Sequence, residues 1–133
     1  MPTVTADGRS VQVDPGTRLV LAIEALGIEI GHRCGGKARC TTCRVEFEAG
    51  APATYTRAEY LKLQGSDLLA SPDASAPVRL SCQVLVDHDM TVRVLKTKQT
   101  EGWADTGPQV GPDLMPEPER FDRVTLEAEL ALG

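Results

Sequence analysis

The chain is poor in aromatic residues, with one Trp, two Tyr and two Phe among 133. That scarcity argues against a platform on which RNA or DNA bases stack. It also predicts a core built from Leu, Val and Ala. Long apolar runs are missing as well, and nothing approaches the ~18 residues of a membrane-spanning helix. The first residues, MPTVTADGRS, lack the basic start and apolar stretch of an export signal. A cytoplasmic protein with no membrane insertion is therefore expected. A basic excess is missing too: the formal net charge is −5. Residues 1–96 hold 11 acidic and 11 basic side chains, whereas residues 97–133 hold 8 acidic and 3 basic. Neither a nucleic-acid surface nor a polybasic membrane patch follows from that distribution.

What is present reads first as scaffold. Val4, Ala6, Val11 and Val13 alternate with polar residues around Asp7-Gly8, the signature of a two-residue hairpin turn. Pro15-Gly16 ends the second strand. Thr17 is expected to cap a helix presenting Leu19, Ala22, Ile23 and Leu26 on one face and stopping at Gly27. Residues 31–42 break into Gly, Cys and cations, a loop. Val45, Phe47 and Ala49 alternate as a strand. Thr56-Arg57-Ala58-Glu59 has the form of a capping box opening a helix through Tyr60, Leu61 and Leu63, closed by Gly65. Residues 66–69 suit one further short turn, 72–77 a linker and 78–86 a strand. Asp87-His88-Asp89 suits a turn, and residues 91–95 a last strand. Strands at both ends with helices between them predict an α+β domain with a mixed sheet, spanning residues 1–98. Residues 99–133 form an acidic C-terminal extension, expected to be an extended segment followed by a short helix in 121–132.

The cysteines carry the chemistry. Cys34-x5-Cys40-x2-Cys43-x38-Cys82 uses all four in the chain. Tight spacing without an export signal reads as metal or redox chemistry before disulfides. Four thiolates can hold a [2Fe-2S] cluster, two per iron. Gly35, Gly36, Ala38, Thr41 and Thr42 let the loop bend sharply and turn backbone N–H groups towards the sulfurs. Structural zinc is the competing reading, although it typically uses two Cys-x2-Cys knuckles and here there is one. A Rieske centre needs two His ligands in another arrangement, and His32 and His88 are expected to be loop residues. Gly35-Gly36 lacks the rest of a phosphate or dinucleotide fingerprint.

Cys34-Gly35-Gly36-Lys37-Ala38-Arg39-Cys40-Thr41-Thr42-Cys43, followed by Arg79-Leu80-Ser81-Cys82-Gln83, resembles [2Fe-2S] ferredoxins of the adrenodoxin/putidaredoxin-like type. The wording of the first cluster also resembles ferredoxin domains attached to bacterial cyclases and corrinoid-protein activators. The resemblance covers residues 2–96 and implies a β-grasp fold. It implies that Cys34 and Cys40 bind the iron nearer the surface, and that Cys43 and Cys82 bind the inner one. It further implies a soluble one-electron carrier, monomeric or weakly dimeric, between a reductase and an acceptor protein, rather than an enzyme. A zinc-stabilised interaction module and a cluster-bearing regulatory subunit are the alternatives. Two features differ from the pattern. Arg44 stands where His often follows the third cysteine, and the segment 55–73 holds only Glu59, Asp67 and Asp73 against Arg57 and Lys62. Arg33, Lys37, Arg39 and Arg44 surround the loop, which predicts a docking face that prefers an acidic partner.

Overall fold

A computed structural model describes residues 1–69 and 75–132. Asp73 and much of the expected 72–77 linker lie outside the described residues. Strands β1 (Thr3–Ala6) and β2 (Arg9–Gln12) pair antiparallel, with Ala6 opposite Arg9. Asp7 and Gly8 have φ of 50° and 81°, the two positive angles that an Asp-Gly turn of the primed type requires. The helix expected next starts one residue later than a Thr17 cap would place it, with Arg18 at the cap position. Thr17 instead belongs to β3 (Thr17–Arg18), opposite Val86, and its hydroxyl donates to the Asp14 carbonyl. Helix α1 (Leu19–Ala25) then buries Leu19, Val20, Ala22 and Ile23, and the Gly27 N–H closes it on Glu24.

Strand β4 (Arg44–Ala49) puts Val45 and Phe47 into the core and leaves Ala49 exposed. After β5 (Thr54–Tyr55), helix α2 (Arg57–Gly65) buries Tyr60 and Leu63 but leaves Leu61 facing solvent. Only half of the capping box forms. The Thr56 hydroxyl accepts the Glu59 N–H, while the Glu59 side chain turns inward to Arg79. The reciprocal box occurs later, between Thr97 and Thr100, at the start of α3 (Lys98–Glu101).

The expected strand over 78–86 is interrupted. Strand β6 (Val78–Leu80) gives way to a 3-10 turn, Ser81–Gln83, before β7 (Leu85–Val86) resumes in a different sheet beside β3. The break frees Cys82 from the strand alternation and lets it face the loop. Strand β8 (Met90–Val94) completes a five-stranded sheet of order β2-β1-β8-β4-β6. β1 and β8 run parallel, and the other neighbours are antiparallel. With α1 packed against β1, this is an α+β fold with a mixed sheet, of the β-grasp kind.

The extension is held to the rest of the chain. Strand β9 (Phe121–Asp122) pairs with β5, and helix α4 (Arg123–Leu132) inserts Leu126, fully buried, into the main core. Arg57 bridges Glu117 at 3.0 Å and Glu129 at 2.8 Å and lies over the Phe121 ring. Val110 and Leu114 are buried, whereas Met115 and Val124 face solvent. Removing residues 99–133 should therefore lower the melting temperature and raise binding of a hydrophobic dye. Leu126 alone contributes about 2 kcal/mol of burial. An unchanged melting curve in calorimetry would show that these contacts hold nothing down.

Candidate metal centre

The cysteine loop is wound in a left-handed sense at three points: Gly35, Gly36 and Ala38 have φ of 69°, 86° and 58°. At Gly36 a side chain is excluded by space as well, since a Cβ would sit 2.7 Å from the Arg18 guanidinium and 2.8 Å from Val110. This winding turns backbone N–H groups towards sulfur. Those of Lys37, Arg39 and Cys40 serve Cys34, that of Thr42 serves Cys40, and that of Ala38 serves Cys82.

The four thiols fall into two pairs. Cys34 and Cys40 are half-buried and share a hydrogen bond; Cys43 and Cys82 are buried and share another. Donation by Cys40 draws the Cys34 thiol down to about 4 and pushes its own value up. Donation by Cys43 likewise draws Cys82 down and raises Cys43, with burial adding to that rise. The Thr42 hydroxyl lies 3.1 Å from Cys40 Sγ, and the Gln83 amide donates to Cys82 Sγ at 3.6 Å. Among the described residues no three His, Cys, Asp or Glu side chains converge as a site for one metal ion. Two thiol pairs set at different depths suit a two-iron unit taking two thiolates per iron.

The inner side of the loop rests on Arg18, which sequence reading passed over. Its side chain is fully buried. Its Nε and Nη2 donate to the Cys82 carbonyl at 2.9 and 2.6 Å, and Nη2 also donates to Gly36 O at 2.5 Å. Nη1 donates to the carbonyls of Gly111 and Asp113 at 3.0 and 2.8 Å. Among the described residues no carboxylate pairs with it. Burial lowers its pKa, and the nearby Cys82, Cys43 and Cys34 oppose that shift. A buried cation without a carboxylate is costly; a negatively charged cluster on these thiolates would supply the missing counter-charge. The residue's signal was a lone Arg between Thr17 and the apolar run Leu19-Val20-Leu21.

Two further buried groups set the position of Cys82. The Gln83 amide donates to Met115 O at 2.6 Å and Gly36 O at 3.2 Å, and its oxygen accepts the Thr56 hydroxyl at 2.6 Å. Arg79 makes a two-point bridge to Glu59, both contacts 2.8 Å, and Glu59 also accepts the Leu80 N–H at 2.9 Å. The C-terminal extension joins the site. Thr106 O accepts the His32 N–H at 2.8 Å, Pro108 lies against Gly35, and Trp103 lies against Gly31 with Arg33 over its ring. The extension thus covers the 31–36 flank of the loop.

His32 is buried and meets Glu24 at 3.2 Å, which raises its pKa. His88 lies in the expected turn, with Nδ1 on Asp87 at 2.6 Å and Nε2 on Gly50 O at 2.7 Å. Both are loop residues, as their sequence context implied.

Fold and thiol geometry together define a class: a β-grasp protein that carries an iron–sulfur cluster. Residues 3–87 match the family described as 2Fe-2S iron-sulfur cluster binding domain. The chain belongs to that family, and its cofactor is a [2Fe-2S] cluster. Rhodocoxin of Rhodococcus erythropolis is 33% identical over 107 residues, which cover 76% of this chain and 99% of that one. The ISC-like [2Fe-2S] ferredoxin of Pseudomonas putida superposes with a TM-score of 0.54 at 32% identity, covering 72% of this chain and 94% of the other. Putidaredoxin in its covalent complex with putidaredoxin reductase gives 0.51 at 30% identity, over 69% and 96%. The Na(+)-translocating NADH-quinone reductase of Pseudoalteromonas atlantica contains a polypeptide that is 30% identical over 95 residues. The match covers 69% of this chain but spans only 22% of that longer one.

Proposed function

We propose that this protein is a one-electron carrier, loaded by a reductase and discharged by an acceptor protein, with Cys34, Cys40, Cys43 and Cys82 as the cluster ligands. The observation that carries the reading is the division of the four thiols into a half-exposed pair and a buried pair on one loop and one strand break. The likeness to putidaredoxin, solved joined to its reductase, supports a reductase as donor. When bound, a [2Fe-2S] cluster supplies one reversible electron at a nearly fixed geometry.

The chain's own residues do the rest. Cys34 and Cys40 hold the outer position, close to solvent, where an incoming redox centre comes nearest. Cys43 and Cys82 hold the inner position in a dry environment. Backbone N–H groups of residues 37–42 and the Arg18 cation stabilise negative charge on the sulfurs. We read the protein as an electron carrier rather than an enzyme, on its membership of the 2Fe-2S cluster-binding family. No helix among the described residues is long and apolar enough to cross a membrane. Clustered free thiols suit a reducing compartment, and we place the carrier in the cytoplasm, as a monomer or weak dimer.

Single replacement of each cysteine by Ala tests the ligand set. No spare cysteine exists in the sequence, so each variant should lose most of the red-brown absorption and melt at lower temperature. Full colour in any one of them removes that residue from the set. A colourless wild type that purifies with zinc would replace the carrier by a zinc-stabilised module.

A further inference from the structure

The chain is acidic overall, yet the loop that holds the half-exposed thiols is not. Residues 31–44 contain Arg33, Lys37, Arg39 and Arg44 and no Asp or Glu. Arg33, Lys37 and Arg39 are exposed. Lys37 and Arg39 make no side-chain hydrogen bond or ion pair among the described residues, and Arg33 keeps its charge on the face of Trp103 at 4.9 Å. Arg44 is tied down, donating to the Thr41 carbonyl and hydroxyl. Glu24 meets the loop at buried His32 rather than at its exposed cations, and Asp105 accepts the Gly107 N–H.

The packing selects which side of the loop stays open. The C-terminal extension lies on the 31–36 flank, at Gly31, His32, Gly35 and Gly36. Lys37 and Arg39 stand beyond it, between Cys34 and Cys40 in the chain. Helix α2 offers no competing acidic face, because its one carboxylate, Glu59, is fully buried on Arg79. The molecule is therefore polarised, with its cations at the redox edge and its surplus negative charge elsewhere.

We propose that the exposed rim of Arg33, Lys37 and Arg39 beside Cys34 and Cys40 is a docking surface for an acidic face of a redox protein. The proposal rests on the carrier reading above and adds the charge of the partner. Unpaired cations of this kind act mainly on encounter rate and orientation. They draw an acidic surface to the edge where the thiols come nearest to solvent and turn the rest of this acidic chain away from it.

The test uses the holoprotein and a K37E/R39E variant with the same visible spectrum. Passed over immobilised poly-glutamate at low salt, the wild type should be retained and should elute as salt rises, while the variant should run through. A second arm follows oxidation of the dithionite-reduced protein by tris(oxalato)cobaltate(III) or hexaamminecobalt(III). One electron leaves each chain and one cobalt(III) becomes cobalt(II). The rate with the anionic complex should fall about tenfold between low and high salt for the wild type, and rise with salt for the variant. An unretained wild type, or an anionic rate that rises with salt as the net charge dictates, would overturn the proposal. A protein without visible absorption would instead remove the carrier reading, and the poly-glutamate arm would still decide the surface.

Discussion

Glu59→Gln should cost about 3–5 kcal/mol of unfolding free energy, the scale for breaking a buried ion pair from one side. For a chain of this size that is a fall of roughly 11–18 °C in melting temperature. The Glu59 and Arg79 side chains are 0% and 2% exposed, so solvent cannot replace the lost charge. One carboxylate accepts three N–H groups here: Nε and Nη2 of Arg79 and the backbone of Leu80. Glutamine keeps the shape but offers one oxygen, and its amide N–H group would face a donor. Arg79 would keep its bonds to the carbonyls of Pro52 and Thr54 and its stacking on Tyr55, which fixes it in place with an uncompensated charge. E59Q/R79M should be less destabilised than the sum of its two single variants, because the second change removes the stranded cation. Urea melts of the holoprotein followed by circular dichroism measure all four corners of the cycle. A loss below about 1 kcal/mol in E59Q would show that the pair is not what holds this corner of the fold.

The same residue shows how far the sequence could be read. Thr56 and Glu59 stand at capping-box spacing, and the local rule was half right. Thr56 does receive the Glu59 N–H. The Glu59 side chain, however, had a stronger partner 20 residues away, and a buried guanidinium outcompetes a helix-terminal N–H for a carboxylate. Thr17 went the same way. Its capping chemistry was plausible locally, but pairing with Val86 placed it in a strand. The hairpin, α1, the loop and β4 were legible because each is encoded by a short pattern of turn residues and alternation. The break at 81–83 was not, since Val78, Leu80, Cys82, Val84 and Val86 keep a strand-like alternation through it, and the bend places Cys82 against the loop. The four cysteines were legible as one constellation from spacing, and their division into an outer and an inner pair came only from the family resemblance. The support beneath them was not legible: Arg18, Gln83 and the carbonyls of 111–115 come together only through tertiary folding.

Beyond the four cysteines, Arg18 should have the largest effect on the redox site, and two substitutions separate its charge from its shape. Its guanidinium joins four carbonyls, two within the thiol-bearing segments and two in the C-terminal extension. Arg18→Gln removes the cation and most of the donors. A unit charge between about 4 and 8 Å from the thiolates is worth roughly 2–4 kcal/mol at an effective dielectric of ~20. Reduction adds one negative charge, so losing the cation should lower the midpoint potential, by an amount on the order of 90–170 mV for a one-electron couple. The carbonyls of Gly36, Cys82, Gly111 and Asp113 would also lose their partner, so the extension should loosen and colour should bleach faster on warming. Arg18→Lys keeps the charge but cannot span both sides with one ammonium group. It should hold the potential near that of the wild type while sharing the faster bleaching. Protein-film voltammetry and the decay of visible absorption at fixed temperature read the two effects separately. Equal potentials in all three proteins would mean that Arg18 is a structural strut whose charge the site does not feel.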